Sequence, residues 1–210
     1  MSITAPSKTL DDADSVREHF GEPLHVAVAI VRDSLDQHHR TMIAHCPFIC
    51  IATADAAGQP VVSPKGDAPG FVHVLDDHTI LIPDRPGNNK VLGFSNIVEN
   101  PKISVLFIIP GNAETLRIEG EARIALDDEL LELGVAKGKR PPAALLVRVT
   151  KAYAHCGKSM LRSQLWDPAR HVAKGDLPSL GEMIKAQAGT PLSVAEAEAV
   201  VADAYKNNLY

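Results

Sequence analysis

Apolar and polar positions change period several times along the chain, and each change marks an element. The first 22 residues are polar and of mixed charge, which predicts a loosely ordered leader. A helical stretch follows and ends near His45, just before Pro47 breaks the pattern. Phe48–Ala54 (FICIATA) and Gln59–Gly66 (QPVVSPKG) then read as two strands joined across the turn signature Asp55–Gly58, a hairpin. Phe71–Leu75 and Thr79–Pro83 (TILIP) are further short strands, divided by the acidic turn Asp76–Asp77. Asn88–Glu99 (NNKVLGFSNIVE) departs from this pattern. Its Val91, Leu92, Phe94, Ile97 and Val98 recur near a helical period, and Pro101 lies just past the end.

Strands resume with Ile103–Pro110 (ISVLFIIP) and Glu114–Leu126 (ETLRIEGEARIAL), where Leu116, Ile118, Ala122 and Ile124 alternate with charged neighbours about Gly120, the place for a bulge or bend. Asp127–Gly138 reads as a short helix and Ala143–Ala154 as a long strand buried on both faces at one end. Beyond residue 157 the pattern is helical, with Ser-x-x-Glu capping boxes at Ser179–Glu182 and Ser193–Glu196. The pattern therefore predicts a mainly β, α+β fold: a six-stranded antiparallel barrel with peripheral helices. The expected division is a leader over 1–22, a barrel domain over 23–170 and a helical extension over 171–210.

Composition narrows the function. A net charge of −5 with scattered Lys and Arg gives no clustered positive surface, so neither nucleic acid nor an anionic membrane is expected as partner. No apolar run reaches the roughly 18 residues of a membrane span. Three cysteines, Cys46, Cys50 and Cys156, suit a reduced, cytoplasmic protein better than a disulfide-stapled one. His45, Cys46 and Cys50 with His155–Cys156 lack the spacing of a metal site, and none is expected. Gly134–Arg140 (GVAKGKR) is too short by one residue for a phosphate loop of the Walker type.

The chemistry concentrates in Ile80–Lys90 (ILIPDRPGNNK), where a strand turns through Pro86–Gly87 and feeds a helix expected to begin near Asn88. Unpaired N–H groups at a helix start, with Arg85 and Lys90 beside them, make an anion site. The plainer reading is that Asn88 or Asn89 caps the helix and the basic residues are solvated. Ser63 and Lys65 share one face of a strand, as do Thr115 and Arg117. On spacing alone a surface pair ranks first for Ser63 and Lys65, and a cross-strand ion pair with a Glu ranks first for Arg117, ahead of a phosphate or flavin contact. His155–Pro168 (HCGKSMLRSQLWDP) gathers Lys158, Arg162 and the lone Trp166.

Taken in order, PVVSPK, TILIPDRPGNNK, NIVENPKISVLF and ETLRIEGEARI resemble the core of the pyridoxamine 5′-phosphate oxidase-like family, the FMN-binding split barrels. SPKGD, PDRPGNNK and the RSQLWDP segment are most similar to its FMN-dependent members of unknown substrate. The resemblance implies a homodimer with FMN at the subunit interface, and it implies a role for each matched residue. Val61, Val62, Ser63, Pro64 and Lys65 would line the flavin, with Lys65 nearest the substrate and orienting it. Pro83 and Asp84 would sit at the ribityl phosphate, with Asn89 and Lys90 standing where the family usually has Arg-Lys and with Arg85 compensating for Asn89. Thr115 stands where a flavin-contacting Gln is usual, Arg117 would face the flavin's pyrimidine end, and Arg162 and Trp166 would close the site of the other subunit. The carboxy-terminal Arg-Leu-His segment of true pyridoxamine phosphate oxidases is missing, so that particular reaction is not expected.

The implied activity is an FMN-dependent oxidoreductase that passes a hydride between flavin N5 and a small molecule. Two alternatives stay open at this point: a non-catalytic flavin carrier or redox sensor, and a haem-binding or haem-degrading split barrel, the latter prompted by nine histidines.

Overall fold

The computed structural model describes residues 8–173 and 175–210, and the start of the expected leader, residues 1–7, lies outside them. The chain divides into two compact units between Val31 and Arg32. The first contains α1 (Ala13–Phe20) and α2 (His25–Ala29). Asp12 caps α1 by accepting the Ser15 N–H at 2.7 Å, so this part of the leader is helical where loose order was expected. A capping box with charges at both helix ends supplied the missing local stability.

The second unit opens with α3 (Gln37–His45), then β1 (Phe48–Ala54) and β2 (Pro60–Gly66). The hairpin turn closes as expected: Asp55 accepts the Gly58 N–H on its carbonyl and the Gln59 N–H on its carboxylate, and Gly58 takes φ +82°. β3 (His73–Val74) and β4 (Thr79–Pro83) follow, then α4 (Leu92–Glu99), β5 (Lys102–Ile108) and β6 (Thr115–Ala125). After α5 (Asp128–Leu133) comes β7 (Ala144–His155), and α6 (Lys158–Ser163), α7 (Leu180–Gln187) and α8 (Val194–Asn207) complete the unit. Both Ser-x-x-Glu boxes form, at the starts of α7 and α8.

Among the described residues the sheet has seven strands rather than six, in the order β2-β1-β5-β6-β7-β4-β3, and every pairing is antiparallel. Of the expected Phe71–Leu75 strand only the two-residue piece β3 forms, and the rest leaves the ladder. The β6–β7 register shifts between Glu119 and Gly120, the expected bulge. No ladder joins β2 to β4. Side chains bridge that gap instead: Lys65 of β2 pairs with Asp84 just past β4, and Asp67 just past β2 pairs with Arg85. The result is a split, unclosed barrel whose seam is ionic. Its interior is apolar, with Ile49, Ile80, Val105, Phe107, Leu116, Ile118 and Val147 fully buried, each worth roughly 1.5–3 kcal/mol of transfer free energy.

Candidate functional site

A cavity of about 560 Å³ opens at the seam, walled by β2, the segment Pro83–Val91 and the first turn of α4. Val61, Ser63 and Lys65 of β2 are half-buried while Val62 and Pro64 point the other way and are exposed, as strand alternation requires. The side chains that face the cavity from β2 are therefore three of the five expected, with Val62 and Pro64 lending backbone and outer surface.

The helix expected from Asn88 starts four residues later, at Leu92. The cause is local: Asn89 (φ +55°) and Val91 (φ +44°) are left-handed, and Asn88 folds back to accept the Lys90 N–H at 3.1 Å instead of capping a helix. A β-branched residue in that conformation is strained by about 1–2 kcal/mol, the kind of cost that persists where a site imposes it. Val91 is the N-cap and offers no side-chain acceptor, so no side chain caps the start of α4. Gly93 keeps the approach open: a Cβ there would stand 3.7 Å from both Ser63 Oγ and Thr53 Oγ1.

Two of the three basic residues lining the cavity are already engaged. Lys65 pairs with Asp84 and lies 5.5 Å over the Phe94 ring. Arg85 donates from Nε to Asp67 at 2.5 Å and from Nη1 to the Gly134 carbonyl at 2.7 Å. Arg85 thus fixes the turn, and its expected compensation for Asn89 is confined to what its remaining N–H groups reach. Lys90 is exposed and makes no ion pair among the described residues. Burial opposes ionisation of Asp67, yet the Tyr210 hydroxyl, the Ala68 N–H and the Arg85 guanidinium outweigh it and hold the carboxyl below its ordinary value.

Thr115, Arg117, Arg162 and Trp166 are not among the cavity's lining residues. They lie along β6 and the segment after β7. Thr115 is buried and pairs with His155; Trp166 donates to the Asn112 carbonyl at 2.8 Å. Arg117 stacks on Tyr153, whose hydroxyl donates to Glu119 at 3.0 Å, so the cross-strand partner of Arg117 is aromatic rather than acidic.

Thr53 and Asn96 were not anticipated from sequence. Asn96 donates to Thr53 Oγ1 at 3.2 Å, both are buried, and the bond ties α4 to β1 beside Gly93. A polar residue inside the apolar stripe of residues 88–99 was the available signal, since Asn is unfavourable in a helix interior without a partner.

Among solved structures, HupZ of Group A Streptococcus is 22% identical over 57% of this chain and 93% of its own, with a TM-score of 0.47. A pyridoxamine 5′-phosphate oxidase assigned as such in Lactobacillus delbrueckii is 22% identical over 58% of this chain and 95% of its own, TM-score 0.46. An FMN-binding protein of Syntrophomonas wolfei is 13% identical over 67% and 95%, TM-score 0.41. No curated protein matches the sequence. The sequence profile of the pyridoxamine 5′-phosphate oxidase family matches residues 35–156, more than half of the chain and the whole of the barrel through β7, and the protein belongs to that family.

Proposed function

We propose that the protein is an FMN-dependent oxidoreductase, a cytoplasmic homodimer acting on a small molecule, with the FMN phosphate at the turn Asp84–Val91 and the start of α4. The observation that carries this reading is the uncapped start of α4, opening into a cavity of the right size through two left-handed residues. The residues fit the group. The α4 N–H groups and Lys90 would hold the phosphate, and Asn89 and Asp84 would line its approach. The β2 backbone from Val61 to Lys65, with Pro83, would support the ring.

Bound FMN would supply hydride exchange at N5. The chain's own residues then bind, orient and exclude water. Lys65, tethered by Asp84, would orient an anionic or carbonyl-bearing substrate, and Phe94 would shield one side of its ammonium group from solvent. Nine histidines occur in the chain and none lines this cavity among the described residues, so the haem reading finds no axial ligand there.

Dimerisation is supported by the outer face of β1, β5 and β6, where Cys50, Leu106 and Arg117 lie in register and are only half-buried, beside a depression of about 510 Å³ lined by Ala52, Ser104 and Glu119. A second copy on this face would bring Thr115, Arg117, Arg162 and Trp166 to the flavin. The three cysteines are unpaired, in keeping with a reducing compartment, and no helix among the described residues is long and apolar enough to cross a membrane.

Gly93→Asp tests the phosphate assignment. A Cβ at this position meets only ordinary contacts, and the added carboxylate would face the phosphate, so FMN affinity is expected to fall about a hundredfold, about 2.7 kcal/mol, while riboflavin affinity changes little. Fluorescence titration with both flavins reads this directly. Equal losses for the two, or none, would remove the phosphate from α4.

A further inference from the structure

The cavity's mouth is completed by residues far along the chain. Past α8, Tyr210 is fixed by three contacts of different kinds. Its hydroxyl donates to Asp67 Oδ1 at 2.7 Å, its ring lies 5.8 Å from the Arg85 guanidinium carbon, and its backbone oxygen accepts from Lys139. The base of this clasp is rigid, because the Asp67 side chain is only 4% exposed and already paired with Arg85. Anchoring Tyr210 sets the position of its neighbour Leu209, which lines the cavity while keeping 61% of its surface exposed.

The lining beside it is mixed, with polar Asp84, Arg85, Asn88 and Lys90 and exposed Val91 and Leu92, and Leu209 is the apolar lining residue that a hydrogen-bonded and stacked neighbour holds in place. We propose that Leu209 is a size-selecting residue at the cavity mouth and that Tyr210 is the positioning residue that holds it there. A substrate with a narrow apolar edge would slide against Leu209, and a bulky one would meet it. This rests on the cavity being the ligand site, which is the reading given above, but not on the ligand being FMN.

The test uses a thiol in the cavity wall and needs no flavin. In the full chain carrying Ser63→Cys, alkylation at residue 63 by N-ethylmaleimide and by the bulkier N-(1-pyrenyl)maleimide is followed by peptide mass spectrometry, with the exposed native Cys156 as internal reference. The small reagent is expected to react at least tenfold faster than the large one after normalisation. Leu209→Ala in the same background is expected to shrink that ratio at least threefold, and Tyr210→Ala to do the same. Tyr210→Phe, which keeps the ring on Arg85 and loses only the Asp67 hydrogen bond, is expected to lie between. A merely structural role for Tyr210 would shift thermal stability without changing the ratio, and a ratio untouched by Leu209→Ala and Tyr210→Ala overturns the proposal. Absence of FMN binding by the unmodified protein would defeat the flavin assignment alone and leave this ratio to decide the role of Leu209.

Discussion

Arg85→Ala is expected to destabilise the protein by about 3 kcal/mol, because it strips the ionic partner from a carboxylate that cannot reach water. The Asp67 side chain is 4% exposed and Arg85 15%, so the pair lies on the inner side of the seam and is little screened. The variant also frees the Gly134 carbonyl and removes the platform under Tyr210. Its pH dependence gives a sharper signature than the loss itself. In the native fold the Asp67 carboxyl lies below its ordinary value, so its contribution is complete above the unfolded carboxylate range and disappears only as the pH falls through the depressed value, below about pH 4. Without Arg85 one of the groups holding that value down is gone. The carboxyl rises toward its unfolded value, so less of its stabilisation remains to be lost as the pH falls. The gap in urea midpoint between the unmodified chain and Arg85→Ala should therefore be widest near pH 7 and narrow as the pH falls below about 4. Parallel curves would mean that Asp67 does not depend on Arg85.

Gly120→Ala is expected to cost at least about 3 kcal/mol, an overpacking effect at the upper end of the usual range. A Cβ at this position would stand 2.2 Å from the Arg148 carbonyl oxygen and 3.1 Å from Val147 Cγ1. The nearest atom is backbone, and it belongs to the long central strand β7, so no side chain can swing away. The register shift between Glu119 and Gly120 concentrates the close approach at this residue. Thermal unfolding should show a fall in midpoint well beyond that of a neutral control such as Glu114→Ala, whose side chain lies outside the ladder. A midpoint shift of a degree or two would mean that the strand relaxes around the methyl group.

These two positions show where sequence was and was not informative. Gly120 could be read as a bulge because it interrupts a strict alternation of Leu116, Ile118, Ala122 and Ile124, and the register shifts there. The β1–β2 hairpin was equally legible, since Asp55 and Gly58 carry the chemistry of their turn locally. The start of α4 was not. Asn88 followed by Asn89 looks like a cap, and nothing in the residue types announces that Val91 adopts a left-handed conformation, which its branched side chain disfavours. Tertiary context decides that angle. The partners of Arg85 and Tyr210 were hidden for a different reason, because Asp67 is 18 residues from the first and 143 from the second. Thr53 and Asn96, 43 apart, meet only once α4 packs on β1.

For the site, the cavity gathers Val61–Lys65, Pro83–Arg85 and Asn89–Lys90 as one surface. Thr115, Arg117, Arg162 and Trp166 stand apart from it in a single chain. Spacing along a strand says which face a residue shares, not which subunit's ligand that face would meet.

The central claim is that a flavin mononucleotide occupies the cavity at the seam. Visible absorption of the freshly purified protein, followed by mass identification of whatever heat denaturation releases, tests it most directly. The expected result is an oxidised flavin spectrum with FMN released at about one per chain. A colourless protein that takes up no added FMN, or a released ligand of another kind, would contradict it.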